Sequence, residues 1–402
     1  MRHSRSSWQW VRYALLILLL VLLAACAGAA QPTPAAEPTS APPPPATQAP
    51  EPTAAPQPTA TTAESAAPQP TATTAESASP TAEAPAATEE TAAQASGTIQ
   101  LYTSESEDKV NEMVNDFNQV YPDVTVNIFR SGTGEVTAKI QAEEQAGDIQ
   151  ADVIWFADID FFRMLAEKGL LLSYMPRGGD QAPAEYHYDN NRYHEVRLIF
   201  NVVAYNTQLV DPPPTSWKDL ADPKFQGKVG MPSPFYSGAA FGQVGTFADM
   251  PEFGWEYFQQ LKENGAGVEQ GNGAVANKLA SGEYEIAQLV DFFARSLKAQ
   301  GSPIDHIWPA EGAVLIPTPI GIMKDTKNAA AAKAFLDYMY SERAQQLFVK
   351  QSYVAVLPGM PAPEGAPDLA DLKVIPVNVD YINTHRDEIR QKFGDLFGGP
   401  AG

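Results

Sequence analysis

Residues 130–135 read RSGTGE and residues 288–295 read QLVDFFAR. In the first stretch Ser131, Gly132, Thr133 and Gly134 form a glycine-containing turn ahead of a helical pattern. Such a turn offers backbone N–H groups to an anion, because a helix N-terminus leaves its first amides unpaired and carries partial positive charge. It is not a dinucleotide fingerprint, since the third glycine at the required spacing is missing. In the second stretch an apolar run ends at Asp291 and is followed by Phe292, Phe293 and Arg295. The two rings either open a helix and pack in the core or line a cleft. Asp158, Asp160 and Asp291 each follow a strand pattern, where a carboxylate either holds a ligand amine or caps the next helix. Arg197 and Arg295 either neutralise an anion or make ordinary salt bridges. This chemistry is that of binding. Beyond the leader the histidines are His187, His194, His306 and His385, and neither HExxH nor G-x-S-x-G occurs, which argues against a secreted hydrolase.

The elements that must position these groups alternate strand and helix, the mark of an α/β protein with mainly parallel sheets. TIQLYT (98–103) is a strand, and Val110, Met113, Val114 and Phe117 define a helix that stops before Pro122. VTVNIF, the 130–135 loop, a helix through Ile140, the strand 152–157 and a helix beginning DIDFF complete a β-α-β-α-β-α unit over 98–172. The run 196–206, VRLIFNVVAYN, is long enough to leave one sheet and enter another. Further strands are expected near 228–231, 284–290 and 314–323, and one helix over 328–351.

The N-terminus reads as a targeting segment. Arg2, Arg5 and Arg12 precede ALLILLLVLLAAC, an apolar run short for a bilayer and followed by small residues, so residues 1–25 are a signal peptide. Cys26 is the only cysteine, which leaves no partner for an intramolecular disulfide. Residues 27–96 hold 15 of the 35 prolines, lack aromatics and repeat QPTATTAESA. Such a segment cannot bury enough apolar surface to fold; at about 3.1 Å per residue it is a tether on the order of 100–200 Å long. The chain carries a net charge of −21, with three of its 27 basic residues in the leader and seven of its 48 acidic residues in the tether. An acidic body argues against nucleic acid and anionic membrane surfaces. It does not exclude a small anion, because the overall field is screened beyond about 8 Å.

Leu23-Ala24-Ala25-Cys26 resembles the lipobox of bacterial lipoproteins, which implies lipidation of Cys26 and a protein anchored outside the membrane, in a periplasm or at the cell surface. RLIFNVVAYN, SWKDLADPKFQGKVGM, SPFYSGAAFGQV, GNGAVANKLASGEYEIA and AFLDYMYSERAQQLF, in that order, resemble the solute-binding proteins of ABC importers, in the branch of ferric-ion-binding proteins. The resemblance implies a type II periplasmic binding protein: a monomer of two α/β lobes, hinged by crossing strands, that closes on a solute for a permease and its ATPase. The first lobe would comprise 97–203 plus about 318–345, the second about 204–317 plus 346–402, with the lipidated tether over 26–96. Ser237, Gly238 and Ala239 match the family's anion-cradling turn, and Asn272 matches a residue touching that anion. A glycine turn entering a helix has the physical means to do this, and each hydrogen bond to a charged group contributes about 1.5–3 kcal/mol. Phe292 and Phe293 stand where ferric members place two tyrosines, while the family's histidine and glutamate ligands fall near Ser106 and near Ala157–Asp158. A phenyl ring offers no donor to iron. The expected ligand is therefore a small phosphorylated or phosphonate solute bound without metal or cofactor, with a thiamine-like cation or an iron complex as alternatives.

Overall fold

The computed structural model describes residues 95–399. The signal peptide, Cys26 and the tether lie outside the described residues. Two mixed sheets organise what is described. The strands are β1 Gly97–Thr103, β2 Val124–Arg130, β3 Val153–Trp155, β4 His187–Tyr188, β5 Tyr193–His194, β6 Arg197–Asn206, β7 Val229–Pro232, β8 Gly267–Glu269, β9 Ile286–Val290, β10 Ile304–Ile307, β11 Ala313–Ile316, β12 Ile320–Ile322, β13 Val354–Ala355 and β14 Val374–Pro376. The helices are α1 Glu107–Val120, α2 Thr133–Ala146, α3 Ile159–Glu167, α4 Gly238–Asp249, α5 Gly254–Glu263, α6 Asn272–Ser281, α7 Asp291–Ala299, α8 Ala329–Met339, α9 Glu342–Lys350 and α10 Val379–Phe397.

One sheet runs β2-β1-β3-β12-β5-β4, the other β14-β11-β6-β9-β7-β8, with β10 and β13 also paired to β6. Each is the centre of one α/β lobe. Their cores are parallel, β2-β1-β3 in the first and β8-β7-β9 in the second. The sheets are not mainly parallel throughout, because strands arriving from the opposite lobe enter antiparallel: β12 against β3, β6 against β9.

Beyond Val196, the apolar run at 196–206 does not cross between sheets. All ten residues of β6 are buried in the second sheet, and the passage is made by Glu195 and Val196 just before it. Likewise the stretch 314–323 is two strands in different sheets, separated by Pro317-Thr318-Pro319. Proline supplies no backbone donor to a ladder, so the ladder ends where the chain changes lobes. The helix expected over 328–351 breaks at Ser341, whose hydroxyl accepts from Ala344 N at 3.2 Å and starts α9 afresh. The β-α-β-α-β-α unit forms as its periodicity predicts, with Val110, Met113, Val114 and Phe117 buried on α1. No helix among the described residues is long and apolar enough to cross a membrane.

Candidate ligand-binding cleft

The six parallel core strands, three per lobe, end on a shared cavity of about 400 Å³. Open α/β sheets bind ligands outside the carboxyl ends of their strands, and here two such crevices are joined face to face. The lining includes Ser104–Ser106 after β1, Arg130–Thr133 after β2, Ala157 after β3, Tyr236–Ala239 after β7, Gln270–Ala274 after β8, and Val290, Phe292 and Phe293 after β9. Because each of these strands hands over to a helix, α1, α2, α4, α6 and α7 all start at the wall. Five partial positive charges thus converge on one space.

The two glycine turns face one another across it. A Cβ on Gly132 would lie 2.9 Å from the Tyr236 carbonyl oxygen, and one on Gly134 would overlap that of Phe235. Ser237 caps α4, its hydroxyl accepting from Ala240 N at 3.2 Å, and receives a hydrogen bond from Asn272 Nδ2 at 3.2 Å. Asn272 Oδ1 in turn accepts from Val290 N, so one amide fixes the starts of α4 and α7 together. Among the described residues the backbone amides of Thr133, Gly134, Gly238 and Ala239 have no hydrogen-bond partner. These are the orphan donors of helix first turns.

Charges at the cavity are Arg130, Arg197, Glu105 and Glu135. Both carboxylates are engaged. Glu105 is ion-paired with buried Arg197 and accepts from Tyr353 Oη at 3.0 Å. Glu135 completes the cap of α2, accepting from the Ser131 hydroxyl and from Gly132 N at 3.2 Å. Arg197 donates to Thr318 Oγ1 at 2.6 Å and lies over the Tyr353 ring at 4.4 Å. Arg130 uses only Nε, donating to the Glu105 carbonyl at 2.9 Å, which leaves its two terminal nitrogens without protein partners at the cavity edge. Burial lowers the Lys109 pKa, and burial together with Glu105 raises that of Tyr353; both groups flank Phe292.

Phe292 and Phe293 do two things at once. They occupy the first turn of α7, stack on each other at 4.3 Å, and Phe292 packs on Tyr353 at 4.5 Å. Both also line the cavity. Thus Ser131, Gly132, Thr133, Ser237, Gly238, Ala239, Asn272, Phe292 and Phe293 are brought together. Asp158 and Asp291 are not. Asp158 caps α3, accepting from Phe161 N at 3.1 Å, and pairs with Arg386. Asp291 is fully buried, accepting from Phe200 N at 2.9 Å and from Arg295 at 2.5 Å. With their oxygens spent on protein donors, both leave the set of ligand contacts, as do Asp160 and Arg295. Arg130, Ser104, Tyr236 and Gln270, which also line the cavity, were not singled out from sequence. The signal for Arg130 was its place at the end of a strand directly before the glycine turn.

Comparison with known proteins agrees with this architecture. The family model for bacterial extracellular solute-binding proteins matches residues 148–385. An uncharacterised Haemophilus influenzae protein is 28% identical over 276 residues, covering 64% of this chain and 77% of its own length. A Salmonella paratyphi A periplasmic protein whose name proposes 2-aminoethylphosphonate as its ligand is 26% identical over 233 residues, 55% of this chain and 66% of its own. The solved structure of the periplasmic binding protein AfuA from Actinobacillus pleuropneumoniae, with fructose-6-phosphate bound, superposes with a TM-score of 0.68 at 26% identity, covering 75% of this chain and 98% of that one. Two lobes, a crevice at their strand ends and the family match agree: this chain belongs to the bacterial extracellular solute-binding proteins, the substrate-binding components of ABC importers.

Proposed function

We propose that the protein closes its lobes on a small phosphorylated or phosphonate anion and presents it to an ABC permease, tethered to the outer face of the membrane through a lipid on Cys26. The supporting observation is the pair of facing turns, whose unpaired amides at Thr133, Gly238 and Ala239 line the same cavity as the free guanidinium nitrogens of Arg130. An oxyanion with several acceptor oxygens can take hydrogen bonds from both lobes at once, which couples its binding to closure. The similarity to proteins named for a phosphonate or solved with a sugar phosphate points the same way.

In this reading Thr133 and Arg130 hold the anion from one lobe, on a turn that Ser131 and Gly132 shape through their hydrogen bonds to Glu135, and Ser237, Gly238, Ala239 and Asn272 hold it from the other. Phe292 and Phe293 form an apolar wall against the rest of the solute. The lobes hinge at 195–196 and 317–319. A thiamine-like cation is supported by those rings and by the acidic body, but the two carboxylates at the cavity already have partners. Mass spectrometry of solute released from protein purified without refolding tests the proposal. A phosphorus-containing compound is expected; a phosphorus-free ligand held in the cleft contradicts it.

A further inference from the structure

Helix α10 is built with two faces. Ile382, Ile389 and Phe393 are buried on the second lobe, where Gly245 of α4 lets the helix approach so closely that a Cβ there would overlap Ile382. Asn378 anchors the helix start, its N–H donating to Thr246 Oγ1 at 3.0 Å and its amide to Asp249 at 2.7 Å. The opposite face carries charge and meets the first lobe. Arg386 makes a two-pronged pair with Asp158, at 2.7 and 2.9 Å, and reaches Asp160 at 3.0 Å. Arg163 of α3 then links Asp160 at 2.9 Å to Asp380 of α10 at 3.0 Å.

We infer that Arg386, with Asp158 and Asp160, is a latch between the lobes that sets solute affinity by stabilising the closed form without touching the solute. Asp158 and Asp160 start α3 immediately after Ala157, a residue of the cavity wall. Arg386 belongs to α10, which packs on α4, and the first turn of α4 is the second anion seat. Its guanidinium lies over the Phe241 ring of α4 at 4.9 Å, so it moves with the second lobe. Rotation of the lobes about 195–196 and 317–319 would pull the pairs apart and return three charges to water. The carboxylates are 8% and 9% exposed and Arg386 22%, so these pairs are screened less than surface ones. Bidentate geometry adds orientation to charge. A binding protein whose competent form is partly populated binds with an affinity scaled by that fraction, which makes Arg386 a positioning residue for binding.

The test uses the full chain with Cys26→Ser and fluorophores on Gln145→Cys of α2 and Glu263→Cys of α5, both exposed and in opposite lobes. Without added solute, Arg386→Gln is expected to shift energy transfer toward the separated lobes, and 1 M salt is expected to do the same to the parent but not to the variant. Affinity for fructose 6-phosphate as probe should fall about tenfold in Arg386→Gln, with Arg386→Lys between the two. A lower melting temperature with unchanged energy transfer and unchanged salt response would make the cluster ordinary packing and overturn the inference. Because the distance readout needs no solute, it is independent of the phosphate assignment.

Discussion

A methyl group on Gly238 would overlap the carbonyl oxygen of Ala157, which belongs to the opposite lobe, and would sit 2.8 Å from the carbonyl carbon. The turn proposed to seat the anion in the second lobe is therefore also a point of backbone-to-backbone contact between the lobes. Backbone opposes backbone there, and no side-chain rotation can relieve the overlap.

Gly238→Ala should fold and remain open. Far-ultraviolet circular dichroism should match the parent, because Gly238 is the first residue of α4 and its φ is not in the left-handed region. Solute affinity, measured calorimetrically, should drop by about two orders of magnitude, since tightly packed contacts give way only at a cost of about 1–3 kcal/mol or more. Unchanged affinity would separate Gly238 from closure.

Arg130→Gln removes the cation at the cavity edge and leaves a shorter, neutral polar side chain. One hydrogen bond to a charged group is worth about 1.5–3 kcal/mol, so affinity for a phosphorylated solute should fall roughly ten- to hundredfold. The melting temperature of the ligand-free protein should hardly move, since Arg130 is exposed and makes a single hydrogen bond to the fold.

The two rings of the wall should separate by mutation. Phe292 is 5% exposed and packs on Tyr353, so Phe292→Ala should cost about 3–5 kcal/mol in chemical denaturation. Phe293 is half-buried, and its truncation should cost less stability while changing solute affinity.

Much of this arrangement was legible in the sequence, and what was missed has a common cause. Periodicity located β1, α1, β2, α2, β3 and α3, because local apolar spacing decides those elements. The RSGTGE and YSGAAF turns could be read because glycine before a helical pattern has a local meaning. The pairing of Asp158 and Asp291 was not legible because Arg386 and Phe200 N lie 228 and 91 residues away, and no local pattern distinguishes a carboxylate paired at that distance from one facing a cleft. The lobe crossings were blurred for a similar reason. An unbroken apolar run looks the same whether it stays in one sheet or follows a passage between two.

Glu195, at the crossing between the lobes, should make folding stability depend on pH. Burial pushes its carboxyl up to about 8; Oε2 accepts from Thr318 N across the two crossings at 2.9 Å, and Oε1 has no partner. The Thr318 N–H and, after it, the charge of Arg197 face the group and oppose this shift. Unfolded, the group loses its proton near its ordinary value of 4.5, whereas the folded protein holds it until about pH 8. Between those values the folded form binds more protons, so this group's contribution to stability is fully present below the window and is lost as pH rises through it. His194 and His306, held down to about 4 by burial, act oppositely below their ordinary value, so the variant must be compared with its parent. Glu195→Gln should gain stability on the parent steadily from pH 5 to pH 8 in thermal denaturation; parallel curves would show that Glu195 is ionised in the fold.

The account rests on main-chain amides from two lobes holding one oxyanion where benzene rings offer no donor to a metal. Isothermal titration with fructose 6-phosphate, fructose and ferric citrate tests it most directly. The account predicts binding of the phosphorylated sugar, none of fructose at the same concentrations, and no iron retained after gel filtration. Tight retention of iron, or equal binding of the two sugars, would contradict it.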